Sequence, residues 1–166
     1  MLKPEHVLDL GCGCGSFTAE MSPHCGKIIA IDSSSVLIDR CKSENQKPNI
    51  NYVCMDARKV DYPDACFNLV LERACLHHIL EWEKVLDEMM RLSSKYVLIE
   101  EPMDDPRSDA KRNAIQAQRF YLEVQKEAGF QGAEMKCLVL KTDTSFIVYI
   151  TLQGNKVNFD KIRRHP

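Results

Sequence analysis

Apolar residues along this chain follow two patterns that alternate. Short, nearly uninterrupted apolar runs bounded by turn residues occur at His6–Leu10, Lys27–Ile31, Ile50–Met55, Phe67–Leu71 and Tyr96–Ile99. Runs of that length and density read as strands buried on both faces of a sheet. Between them the period lengthens to that of a helix. Trp82, Val85, Leu86 and Met89 form an i, i+3, i+4, i+7 stripe; Ala110, Ala114, Ala117, Tyr121, Val124 and Ala128 form a longer one, which Gly129 ends. Ser16–Met21 reads as a short helix stopped by Pro23. Ser33–Ser35 offers caps to a helix that carries Leu37 and Cys41 and ends before Pro48.

Strand and helix in regular alternation predict a parallel sheet with helices on both faces. After Gly129 the alternation stops. The runs Glu134–Leu140 and Ser145–Leu152 are separated only by Lys141-Thr142-Asp143-Thr144, too short for a parallel crossover, so they are expected to form an antiparallel hairpin. The expectation is one α/β domain over residues 1–166: a Rossmann-like, seven-stranded, mostly parallel sheet closed by that hairpin.

Composition narrows the function classes. A hydrophobic content of 45% and a charged content of 28% are those of an ordinary globular chain. The net charge of −2 supplies no basic face for nucleic acid. No apolar run has the length of a membrane span, and Met1-Leu2-Lys3-Pro4 leads into a folded pattern rather than a signal peptide. These features give a cytoplasmic reading. The eight cysteines fall at 12, 14, 25, 41, 54, 66, 75 and 137, with no Cys-x-x-Cys pair. They are expected as free thiols, with no metal site.

The chemistry concentrates at the first strand. Val7-Leu8-Asp9-Leu10-Gly11-Cys12-Gly13-Cys14-Gly15 is a buried strand running into three glycines at alternate positions. Such a turn lets backbone approach a ligand closely, and the next helix begins with unpaired N–H groups. A nicotinamide fingerprint starting at Gly11 would need Gly or Ala where Ser16 stands, which argues against that cofactor. Asp32 follows the second strand 21 residues after Gly11. In a doubly wound sheet that position lies beside the glycine turn, where a carboxylate accepts the hydroxyls of an adenosine ribose. The bland reading of Asp32 is a helix cap. Cys12 and Cys14, just ahead of a helix start, are expected to favour thiolate.

These residues, taken together, resemble the class I S-adenosylmethionine-dependent methyltransferases, the group that includes ubiquinone-type and other small-molecule enzymes. The turn matches as Asp9, Gly11, Gly13 and Gly15, and the second-strand acid as Asp32 in Ile31-Asp32-Ser33-Ser34. The third-strand acid matches as Asp56 in Cys54-Met55-Asp56-Ala57, and Pro63-Asp64-Ala65-Cys66-Phe67-Asn68-Leu69-Val70 resembles the family's approach to strand four. Leu76-His77-His78-Ile79 resembles the helix after it, and Glu127-Ala128-Gly129-Phe130 the entry to strand six. The resemblance implies S-adenosylmethionine as cofactor, held by Asp9, Gly11, Cys12, Gly13, Asp32, Ser33, Asp56, Ala57 and Glu72, with Asp56 on the adenine amino group. It implies methyl transfer to an O, N or C atom of a small molecule, and no particular catalytic residue.

The chain departs from the pattern at Asn68, which replaces an Asp, and at Glu72-Arg73, where the family varies. The acceptor end is expected above strands four and five, near Glu72, His77 or His78, and Glu100 or Glu101. Adjacent residues on a helix diverge by about 100°, so only one histidine is expected to face the site. Only Met1–Glu5 precede the first strand, where related enzymes carry helices that roof the site. A second copy, a partner chain or a further N-terminal segment is expected to supply the roof. The second reading is a methyltransferase-like cofactor-binding subunit that needs a partner for catalysis.

Overall fold

A computed structural model describes residues 3–102, 134–141 and 145–153. Five parallel strands form its centre: β1 (His6–Leu10), β2 (Lys27–Asp32), β3 (Ile50–Cys54), β4 (Phe67–Arg73) and β5 (Ser93–Pro102), in the spatial order β3-β2-β1-β4-β5. The helices are α1 (Ser16–Met21), α2 (Ser35–Glu44) and α3 (Trp82–Leu92), with 3₁₀ turns at Ser22–His24 and Leu76–His78. The sequence builds outward from β1 to β2 and β3, then returns to the other side of β1 for β4 and β5. The order therefore reverses between β1 and β4. In an open α/β sheet the carboxyl ends of the strands at that reversal form a crevice, because the connections leave in opposite directions.

The period-two alternation of the strands sorts the core onto two faces. Leu8, Leu10, Val70, Val97 and Ile99 pack on one face with Val85, Leu86 and Met89 of α3. Val7, Ile28, Ala30 and Leu71 pack on the other with Ile38 and Cys41 of α2. Val85, Leu86, Met89 and Leu92 are all fully or nearly fully buried. Each such side chain contributes roughly 1.5–3 kcal/mol of transfer free energy, which is why this 11-residue helix holds without a side-chain cap. The apolar stripe of α3 is as the spacing predicts.

Element ends differ from the expectation in instructive ways. β4 runs on to Arg73 and β5 spans Ser93–Pro102, so both continue through polar residues that an apolar-run criterion cuts off. α2 is capped by Ser34, whose Oγ accepts from Leu37 N at 3.4 Å. Leu76–His78 is a single 3₁₀ turn rather than an α-helix. The His77 and His78 rings do not diverge: their centroids are 3.9 Å apart at 45°. The alanine stripe 110–128 lies outside the described residues. Among the described residues no helix is long and apolar enough to cross a membrane.

Candidate active site

The loop from Gly11 to Gly15 is tied down by a set of polar contacts. Gly11 N and Cys12 N both donate to Ile31 O, at 2.8 and 2.9 Å, and Gly15 N donates to Cys12 O at 2.9 Å. Asn45 Nδ2 donates to Cys14 O at 2.8 Å, and the Cys41 thiol to Gly13 O at 3.1 Å. The turn needs left-handed backbone at Gly11, φ 69°, and Gly13, φ 58°, which L side chains disfavour. The two glycines differ in what surrounds them. A Cβ on Gly11 would collide with the Cys75 side chain, whereas a Cβ on Gly13 would meet nothing within 4 Å. Gly11 is small because the protein is packed against it. Gly13 is small beside open space.

Two carboxylates stand beneath this turn. Asp32, partly buried, accepts from Gly13 N at 3.0 Å through Oδ2 and from Ser34 N at 2.9 Å through Oδ1. It thus joins the turn to the start of α2, and the cap role falls to Ser34. A carboxylate offers about four acceptor positions, so two backbone bonds leave room for further donors. Asp9 is buried and accepts from Thr18 Oγ1 at 2.5 Å. Burial pushes its carboxyl up to about 6, with the nearby Asp32 charge adding to the rise and the Thr18 hydroxyl opposing it.

A cleft of about 520 Å³ opens over the turn, walled by Gly11, Cys12, Gly13, Phe17, Arg73 and Glu100 among others. Arg73 lies across it. Its Nε is 3.1 Å from Glu100 Oε2, and its guanidinium sits 4.7 Å from the centroid of the Phe17 ring. Sequence reasoning left Arg73 without a role and weighed Glu100 only as an acceptor-end candidate. Their register partnership across β4 and β5 is a tertiary fact, with no signal in either residue alone.

Several expected site residues are placed differently. Glu72 is 1% exposed and does not form the cleft wall; strand alternation turns it to the opposite face from Arg73. Its Oε2 accepts from Cys75 N and Leu76 N at 3.0 and 3.3 Å. Ala57 is part of the hydrophobic core, so only its backbone is left to a ligand, while Ser33 is exposed. Asp56 is exposed and clasped by Arg58, whose Nη2 lies 2.7 Å from Oδ2. That guanidinium holds the Asp56 carboxyl below its usual range and also reaches Glu81 Oε2 at 2.9 Å. Arg58 is a further residue the sequence did not single out. The thiols of the turn also diverge. Burial raises Cys12, whereas the Ser16 hydrogen bond lowers the more accessible Cys14. The expectation that both thiols favour thiolate agrees in direction with Cys14 and is reversed at Cys12.

A family model described as "Methyltransferase domain" matches residues 8–96, more than half of the chain. The ubiquinone biosynthesis O-methyltransferase of Coxiella burnetii is 32% identical over 87 residues, covering 51% of this chain and 37% of that protein. Norajmaline N-methyltransferase of Rauvolfia serpentina is 29% identical over 97 residues, covering 55% and 33%. The chain thus spans only about a third of the length of these two relatives. Among solved structures, the N-methyltransferase NodS of Bradyrhizobium japonicum, in complex with S-adenosylhomocysteine, superposes with a TM-score of 0.70 at 15% identity, covering 92% of this chain and 80% of that one. The glycine turn, the acid after β2 and the strand order all lie within the matched stretch, and the chain belongs to the methyltransferase domain family, of the class I S-adenosylmethionine-dependent type.

Proposed function

We propose that the cleft binds S-adenosylmethionine and that the protein transfers its methyl group to an O, N or C atom of a small molecule. The observation that carries this reading is Gly13. It is a left-handed glycine with open space where a Cβ would stand, and its N–H is held by Asp32. That is a cradle kept clear for something outside the chain. Asp32 has acceptor capacity left for the two ribose hydroxyls, and Asp56 would meet the adenine amino group once Arg58 shares or releases it. The backbone of Gly11, Cys12 and Gly13 approaches the remainder of the ligand, with Ser33 and the Ala57 backbone at the nucleoside end. Glu72 contributes from beneath, through the segment it holds.

The bound cofactor supplies a methyl already activated as a sulfonium. The chain's own work is alignment and exclusion of water, which accounts for much of such a reaction. A general base is required only where the acceptor loses its proton as it attacks. The same reading takes β4 and β5 as the floor of the acceptor end. It also takes Glu134–Lys141 (β6) and Ser145–Gln153 (β7) as an antiparallel hairpin completing a seven-stranded sheet within one domain. Backbone register between Tyr96 and Thr151, and between Glu134 and Gln153, supports that closure. A second copy or a partner chain would cover the cleft, and Leu80, 98% exposed just past the Leu76–His78 turn, is an apolar side chain open to such a contact.

The test is to incubate the protein with methyl-labelled S-adenosylmethionine and a panel of phenols, amines and activated carbon acids, and to measure S-adenosylhomocysteine formed. The reading predicts turnover with at least one acceptor class and no NAD binding by calorimetry. Binding of NAD but not of S-adenosylhomocysteine would overturn it. Cofactor binding without turnover at any protein concentration would leave the partner-dependent subunit as the correct description.

A further inference from the structure

The tips of β4 and β5 carry two acid-containing pairs on opposite faces. Strand alternation sends Arg73 and Glu100 to the cleft side, where they pair with each other. It sends Glu72 and Glu101 to the α3 side, where each is at most 3% exposed. These two carboxyls converge on one donor: Leu76 N is 3.3 Å from Glu72 Oε2 and 2.9 Å from Glu101 Oε1. Glu72 Oε2 also takes Cys75 N at 3.0 Å, and Glu101 Oε2 lies 2.7 Å from His77 Nδ1. Glu72 Oε1 is buried without a hydrogen-bond partner among the described residues. Two full negative charges sharing one N–H in a dry interior repel strongly, and an ionised oxygen buried without a donor is costly. A neutral Glu72 removes the charge repulsion and lowers the cost of leaving Oε1 unpaired, since a neutral polar atom is far cheaper to bury than an ionised one.

We propose that Glu72 and Glu101 hold a single proton as a pair, with Glu72 the neutral acid and Glu101 the carboxylate to which His77 donates, and that this pair positions the Ala74–His77 segment against the glycine turn. The segment needs holding. Ala74 has φ 54°, a conformation that costs a non-glycine residue energy, and its N–H is fixed on Glu100 O at 2.7 Å. The next residue, Cys75, places its thiol in the space that glycine leaves at position 11. A shift of the segment is therefore transmitted directly to the turn. Glu72 and Glu101 are positioning residues, since neither lines the cleft.

Other observations agree. Burial, followed by the Glu101 charge, raises the Glu72 carboxyl well above its usual range, against the opposing Cys75 and Leu76 N–H bonds. Among the described residues, the titratable groups near the pair include Cys75, on which Asp9 of β1 and Asp32 of β2 also act, and His78, whose ring lies tilted against that of His77. Among the described residues no group of three His, Cys, Asp or Glu side chains could hold a metal ion, so the pair is not read as a cation site.

Infrared spectra of protein labelled with ¹³C at the glutamate side-chain carboxyls test the charge state without cofactor or turnover. Glutamate-only labelling removes Asp9 from the signal. At pH about 8, where ordinary carboxylates are ionised, the wild type should retain a neutral carboxylic-acid band. Glu72→Gln, isosteric with the neutral acid, should lose that band. Melting temperature followed from pH about 4 to about 9 gives the second readout. A carboxyl raised in the native state stabilises fully below its unfolded value, and that contribution is lost as pH rises through its native value. The wild-type curve should therefore fall relative to that of Glu72→Gln, while Glu72→Ala should melt lower throughout.

The positioning part rests on the proposed cofactor cleft and is read by S-adenosylhomocysteine affinity. It should decline with rising pH more steeply in the wild type than in Glu72→Gln, where the Asp9 titration common to both proteins remains. Absence of the acid band from the wild type, or melting curves for wild type and Glu72→Gln that run parallel, would overturn the proton pair whatever the cofactor result. An intact acid band with no S-adenosylhomocysteine binding at any pH would instead remove the cleft reading.

Discussion

The two walls of the cleft are built by different means. On the β1–β2 side the backbone does the work: three glycines, their main-chain N–H and C=O contacts, and one carboxylate, Asp32, that ties the turn to α2. On the β4–β5 side the side chains do it, through Arg73–Glu100 on one face and the Glu72–Glu101–His77 group on the other. Backbone can be recognised only through residues that permit its conformation, so the first wall restricts residue type tightly. The second depends on pairs that meet across strands, and many residue combinations could serve. A wall of main chain suits a ligand that is always the same, and a wall of side chains suits one that differs between relatives.

The strongest way to break this contrast is at the contact between the two walls. Gly11→Ala would put a methyl into the Cys75 side chain at a left-handed position. The expected loss of stability is about 2–4 kcal/mol from overpacking and backbone strain, read by chemical denaturation. Gly11→Ala/Cys75→Ala should recover the packing part and leave the strain. A single variant as stable as wild type would mean that the walls are not in register as described.

The next largest effect concerns Asp9, under the backbone wall. Its carboxyl is pushed up to about 6, above the unfolded value of about 3.9. The native state therefore keeps a proton that the unfolded state has released. The stabilisation is complete below pH about 3.9 and disappears as pH rises through about 6, a change of about 2–3 kcal/mol. Asp9→Asn keeps an acceptor for Thr18 and should remove this slope. Unfolding free energies of both proteins from pH about 4 to about 7 would show identical slopes if the burial argument fails.

Much of the first wall was legible in the sequence. Alternate glycines after an apolar run, with an acid 21 positions later, place Gly11, Gly13 and Asp32 together because strand and helix lengths leave little freedom. The starts of β1, β2, β3 and β4 were legible for the same reason. The second wall was not. Glu72 was expected at the cofactor and lies beneath the cleft, because the sequence does not say that β4 continues past Leu71 and so which face each later residue takes. His77 and His78 were assigned divergent directions from backbone geometry, and a 3₁₀ turn also separates successive residues by about 120°; their rings meet at 3.9 Å through side-chain torsions that spacing does not report. The clasp of Arg58 on Asp56 depends on a loop conformation that no periodicity reports.

Smaller effects sharpen the picture of the side-chain wall. Arg73→Ala removes a half-exposed ion pair, so stability should change by only about 0–1 kcal/mol. The acceptor KM should move more than the affinity for S-adenosylhomocysteine, because Arg73 lies across the cleft rather than under the turn. An unchanged KM for every active acceptor would remove Arg73 from the site. The mildest probe is thiol labelling followed by mass spectrometry. Of the two turn thiols, Cys14 should react faster than Cys12, following their opposite environments, and S-adenosylhomocysteine should slow Cys14. Equal labelling of the two thiols would contradict the burial of Cys12.

The central claim is that an open glycine and the acid beneath it bind the cofactor. Calorimetry of S-adenosylhomocysteine with wild type, Gly13→Ala and Asp32→Ala, each checked for an intact fold by circular dichroism, tests it most directly. The account predicts binding by the wild type and a loss of about 1.5–3 kcal/mol in Asp32→Ala, the range for charge-assisted hydrogen bonds. It predicts a loss of at least similar size in Gly13→Ala, where the added methyl stands in the ligand's space. Wild-type affinity in both folded variants, or no binding by the wild type, would contradict it.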